Sequence, residues 1–177
     1  MIALQELTLR RLERAANTAI ARVIAREPAD NGKGAMLRLY HLSSPEDGMA
    51  GLTELWSGWV GGNSNTTKQA KYCVISSEKA LRLALNHQRY RHITSFESLA
   101  PTFHQYQGAA LLRAEVPDIS GTAASIIIVS VSGLSAINDQ RIGLLTIAAM
   151  EWDANNSIRQ VVSLTQDSEY DVLLQPA

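Results

Sequence analysis

Ser132-Gly133-Leu134-Ser135 is the segment whose residue types best suit chemistry, a strand end closed by glycine and leading into a helix. Such a turn presents free backbone N–H groups and the positive end of a helix dipole, which together suit a carboxylate or phosphate. The same residues also make a plain strand-to-helix turn, with Gly133 at the bend and Ser135 as cap. The second candidate is His87-Gln88-Arg89-Tyr90-Arg91-His92, a short basic run around an aromatic ring. Arg89 and Arg91 can fork onto carboxylates, and His92 is of a type that ligates iron or zinc. A solvated helix end is the plainer reading of so short a run.

Other reactive residue types lack a setting. His41, His87, His92 and His104 show no close metal-ligand spacing and no H-E-x-x-H pattern. Cys73 is the only cysteine, so neither an intrachain disulfide nor a thiolate cluster can form, and it reads as a buried unreactive thiol. Gly61-Gly62 lacks the lysine and spacing of a phosphate loop. No G-x-S-x-G elbow occurs, and no pair of carboxylates has a recognisable setting. Trp56 and Trp59 stand an odd number of positions apart on one strand, so they point to opposite faces, one toward a core and the other toward an interface.

The elements that must position these residues follow from periodicity. Thr8 reads as the N-cap of a helix with Leu9, Leu12, Ala16, Ala19, Ile20 and Val23 on its apolar face, stopped by Pro28. Met36 to Leu42 and Leu52 to Val60 read as an antiparallel hairpin around Pro45 and Gly48, followed by a polar loop from Gly61 to Thr67. A helix is expected over Ser77 to His87 with Ala80, Leu81, Ala84 and Leu85 inward. Thr94 and Glu97 form a capping box for a short helix broken near Pro101. Ala109 to Val116 and Ala123 to Val131 read as strands, the second apolar on both faces and therefore central. Ser135 caps a helix deeply packed from Ile142 to Met150, and the tail from Ser157 to Leu174 reads as an extra strand.

This order predicts an α+β fold, a mostly antiparallel sheet with helices packed on it. One domain over residues 1–177 is expected, with 151–177 as a C-terminal extension. Sixteen Lys and Arg against seventeen Asp and Glu leave a charge of -1, which argues against nucleic-acid binding by counterion release and against a polybasic membrane anchor. No apolar run approaches the roughly 20 residues of a membrane helix. With no secretory pattern at Met1 to Glu6, a cytoplasmic location is expected.

Several short segments carry a family likeness: Leu7-Thr8-Leu9, Ser77-Glu78-Lys79-Ala80, and Val129-Ser130-Val131-Ser132-Gly133 followed by Asp139. Over roughly residues 7 to 150 the chain resembles the GlcG/HbpS-like family of small proteins associated with haem binding and haem degradation. The resemblance implies a profilin-like or PAS-like layer, homo-oligomer formation, and haem or another planar anionic ligand. On that reading the pocket lies between the sheet and the helix after Gly133. Ser132, Gly133, Arg89, Arg91 and His92 are its ligand contacts, with the arginines on propionates. The expected function is a non-catalytic small-ligand-binding module with haem the leading cofactor. The alternatives are an oligomeric assembly protein without a ligand, and an enzyme of unrecognised type.

Overall fold

The computed structural model describes residues 6–43, 51–97, 109–114, 125–153 and 155–175. Four strands, β1 (Gly34–Leu42), β2 (Leu52–Gly61), β3 (Ala109–Ala114) and β4 (Ser125–Ser132), form one sheet in the order β2-β1-β4-β3. Every neighbouring pair is antiparallel. Among the described residues, five α-helices accompany it: α1 (Glu6–Arg26), α2 (Thr66–Tyr90), α3 (Ala136–Ala149), α4 (Ser157–Thr165) and α5 (Tyr170–Leu174). The fold is α+β.

Strand β4 explains the layering. Its residues are apolar on both faces, so each face needs a helical cover. Ile127, Val129 and Val131 join a core built with Leu12, Ile20, Ile142 and Leu145 of α1 and α3. Ile128 points the other way, into a smaller cluster with Tyr40, Leu42, Ala80, Leu83 and Ala84. The sheet is thus clad by α2 on one face and by α1 and α3 on the other. Ile127 and Ile128 are both fully buried, and each contributes about 1.5–3 kcal/mol by leaving water.

The two tryptophans of β2 divide between these layers. Trp56 packs against the α1/α3 core, while the Trp59 ring lies 6.2 Å from Tyr72 of α2.

Four local expectations differ from what is observed. Thr8 lies inside α1, which already includes Glu6 and Leu7, so Thr8 is not its N-cap. Helix α2 begins at Thr66 rather than Ser77, because the Asn65 side chain accepts from the Lys68 N–H at 2.8 Å and caps it. The polar loop after Gly61 shortens accordingly; residues 66–74 gave no apolar period because none of them is buried. The inward residue of α2 is Leu83, while Leu81 and Leu85 stay 53% and 59% exposed. The tail is helical, not a strand. Ile158 and Val161 are spaced for one helix face, and with Tyr170 and Leu173 they enter the α1/α3 core.

The Thr94–Glu97 box holds, with the Glu97 carboxylate accepting from the Thr94 N–H at 3.1 Å at a short 3-10 turn, Ser95–Glu97. Pro45, Gly48, Pro101, Val116 and Ala123 lie outside the described residues.

Candidate functional site

The sequence turns from β4 into α3 at Ser132-Gly133-Leu134-Ser135, and the backbone there is confined. A Cβ on Gly133 would come within 2.4 Å of the Gly34 carbonyl oxygen and 2.7 Å of the Ala35 Cα, so only glycine lets the chain pass β1. Ser135 then caps α3, its hydroxyl accepting from the Asn138 N–H at 3.4 Å.

The first turn of α3 carries Asp139 back under this bend. Asp139 Oδ1 accepts from the Leu134 N–H at 2.9 Å, and the Gly133 N–H also hydrogen-bonds the carboxylate. The turn therefore does present its N–H groups to a carboxylate, and that carboxylate is the chain's own.

Across the sheet end, Lys79 of α2 completes the arrangement. Its Nζ lies 2.9 Å from Asp139 Oδ2 and 2.6 Å from the Val131 carbonyl oxygen, which accepts from it. Both side chains are almost fully buried, 2% and 3% exposed. Burial lifts Asp139 to about 6, against the opposing pull of Lys79 and the two backbone donors. Burial likewise pushes the Lys79 ammonium below its ordinary range. The pair ties the α2 layer to the α1/α3 layer where β4 ends.

Above it opens a cavity of about 250 Å³. Lys79, Asp139, Ser132 and Gly133 line it from below; Lys71, Tyr72 and Ile75 line it from α2. Lys71 is exposed at the mouth with its Nζ 5.5 Å from the Tyr72 ring centroid, so the entrance is cationic and the wall aromatic.

Ser132 and Gly133 are thus brought together in one cavity. Arg89, Arg91 and His92 are not. They lie at the C-terminal end of α2, where Arg91 is the left-handed cap and Arg89 stacks on Tyr90 at 5.1 Å. At 1.5 Å per residue, Arg89 is roughly 15 Å along the helix from Lys79. His92 is used locally, its carbonyl lying 2.8 Å from His87 Nδ1. His41 is half-buried, which lowers its pKa, and His104 lies outside the described residues. Among the described residues, no group of three His, Cys, Asp or Glu side chains is placed to hold a metal. Cys73 is half-buried beside Arg38, whose guanidinium also binds Ser77 and Glu54.

Residue-type reasoning missed Lys79 and Asp139 as partners. They are 60 positions apart, and no spacing rule joins a mid-helix lysine to a first-turn aspartate. Both occur in the segments that carried the family likeness, which was the one available signal. The same blind spot hid the buried fork of Arg141 onto Asp167, with Nε to Oδ2 at 2.8 Å, which anchors the turn before α5 to α3. No helix among the described residues is long and apolar enough to cross a membrane.

No family model and no curated protein matches the chain. Solved structures do. The chain is similar over 85% of its length to 81% of the Ybr137w protein, with 13% identity and a TM-score of 0.47. It is similar over 84% of its length to 95% of the chain in the PduOC:heme complex, with 17% identity and a TM-score of 0.41. Over 77% of its length it is also similar to 88% of the Klebsiella pneumoniae protein ORFY, family model DUF336, with 15% identity and a TM-score of 0.37.

Proposed function

We propose that the protein is a non-catalytic small-ligand-binding module whose ligand enters the cavity between α2 and the Gly133 turn. The observation that carries this reading is the cavity itself: a cationic mouth at Lys71, an aromatic wall at Tyr72, and a floor fixed by the Lys79–Asp139 pair. Because Asp139 takes up the Gly133 and Leu134 N–H groups, the anionic group of a ligand meets Lys71 rather than the turn. The favoured ligand is planar and anionic, with haem the leading candidate from the sequence resemblance. A volume of about 250 Å³ is below the usual 300–1,000 Å³ of ligand clefts, so a macrocycle would insert one edge and lie partly over α2.

Titrating haemin into the protein should give a saturable shift of the Soret band with micromolar or tighter affinity. Lys71→Glu should weaken binding about fivefold or more, since reversing one exposed charge is worth about 1 kcal/mol. Arg89→Ala/Arg91→Ala should weaken it less. The opposite ranking would move the ligand to the C-terminal end of α2, and a spectrum matching free haemin at every ratio would remove haem.

One observation favours a second reading, assembly through α2. Val74, Leu81 and Leu85 are 70%, 53% and 59% exposed on its outer side. Exposed apolar groups in a cluster mark association surfaces. Light scattering at micromolar protein should return a multiple of 19.3 kDa, and Leu81→Glu/Leu85→Glu should return the single mass. A monomer in the unaltered protein would end this reading.

A further inference from the structure

A groove runs between α1 and α5 on the outer side of the α1/α3 layer. Its main cavity, of about 630 Å³, is bounded by Ala21, Ala25 and Arg26 of α1 and by Val172 of α5. Thr18 and Arg22 carry it on into a second cavity of about 240 Å³, beside Ala149 and Leu174. At 1.5 Å per residue, the α1 wall from Ala15 to Arg26 is roughly 16 Å long.

The sequence of α1 makes this groove. Its large apolar residues Leu12, Ile20 and Val23 turn into the core, and short side chains stand at Thr18, Ala21 and Ala25 on the outer side. These three, with Ala149 and Leu174, are exposed, so the apolar walls are open to a ligand from solvent.

Charge defines what fits there. The charged residues of the groove are Arg22 and Arg26, and among the described residues no carboxylate lines either cavity. Arg22 bridges to α5, its Nη1 donating to the Leu173 carbonyl at 3.3 Å. Arg26 is exposed, and among the described residues no acid pairs with it. Glu27 and Glu169 line a neighbouring cavity beyond Arg26, together with Arg141, whose guanidinium is forked onto Asp167. Alkyl walls with an unpaired guanidinium at one end suit a chain with an anionic head, since arginine matches a carboxylate in a bidentate fork. A cationic head would meet two like charges instead.

We propose that the groove binds a medium-chain carboxylic acid as its anion, the carboxylate forked by Arg26 and the acyl chain lying past Ala21 and Thr18 toward Ala149 and Leu174. The site is independent of the Gly133 cavity, which is built from α2 and the turn after β4.

Calorimetric titration of the full chain with decanoate at pH 7, kept below its micelle-forming concentration, tests the proposal. Saturable binding is expected with a Kd of about 0.1 mM or tighter, reasonable for a ligand of this size. Amide NMR shifts should centre on Thr18 to Arg26 and on Val172 to Gln175. Hexanoate should bind at least about tenfold more weakly, because fewer methylenes leave water. Decyltrimethylammonium, with the same chain and the opposite charge, should also bind at least about tenfold more weakly. Arg26→Glu should weaken decanoate about fivefold or more, and Ala21→Trp, which fills the groove, about tenfold. Both positions are exposed, so the melting temperatures should hold. Lys71→Glu should leave decanoate binding unchanged. Absence of saturable binding, equal affinity for decyltrimethylammonium or hexanoate, or full affinity in Arg26→Glu would each overturn the proposal. Shifts centred on Lys71 to Ile75 would do so too, by placing the acid in the Gly133 cavity.

Discussion

Replacing Lys79 with Ala should lower stability by about 3–5 kcal/mol, because it leaves the buried Asp139 carboxylate without its cation. For a chain of this size that is a melting temperature lower by roughly 10–15 °C. The loss is bounded, since Asp139 can take up a proton once its charged form becomes costlier than protonation. Removing both partners should be much milder: Lys79→Met/Asp139→Leu is expected within about 1–2 kcal/mol of the unaltered protein, as buried ion pairs exchange with apolar groups at little net change. A double-mutant cycle in urea measures the difference. Additive losses would show that the two side chains do not act as a pair.

The same pair should write itself into the pH dependence of stability. Asp139 is raised from 3.8 to about 6 on folding, so the folded state holds its proton more tightly than the unfolded state. The contribution of that proton to stability is fully present below about pH 4 and is lost as pH rises through about 6. Asp139→Asn should flatten this part of the profile, and an unchanged slope between pH 4 and pH 6 would contradict the shift.

Ile128→Asp should abolish folding. Ile128 is fully buried in the middle of β4, opposite Tyr40 of β1 and under Leu83 of α2. A carboxylate there would sit among Tyr40, Leu42, Ala80, Leu83 and Ala84, and burying it costs several kcal/mol beyond the loss of the isoleucine. Whole domains are stable by about 5–15 kcal/mol, so one such change removes most of the margin. Circular dichroism and the soluble yield report the outcome. A soluble protein with an unchanged melting temperature would mean that β4 is not the central strand.

Strand β4 was legible from the sequence because four consecutive apolar residues, Ile126 to Val129, need cover on both faces. Helix α3 was legible from its Ser135 cap and its apolar run. The start of α2 was hidden, since none of residues 66–74 is fully buried and an Asn65 cap looks like any polar loop residue. The tail was misread as a strand because Ile158, Val161 and Leu164 are few, and spacing over so short a window is ambiguous. In the cavity, Ser132 and Gly133 could be found from turn chemistry alone. Lys79 could not, because a lysine in an amphipathic helix normally faces water, and only tertiary placement beside Asp139 and the Val131 carbonyl lets it be buried. Arg89 and Arg91 were conspicuous by composition, and the length of α2 is what separates them from Gly133.

Whether a ligand occupies the Gly133 cavity is tested most directly by amide NMR of the protein with substoichiometric haemin, whose paramagnetic iron broadens nearby resonances. Broadening is expected at Lys71 to Ile75 on α2 and at Ser132 to Ala136 across the turn. Broadening centred on Arg89 to His92, or none in either segment at saturating haemin, would contradict it.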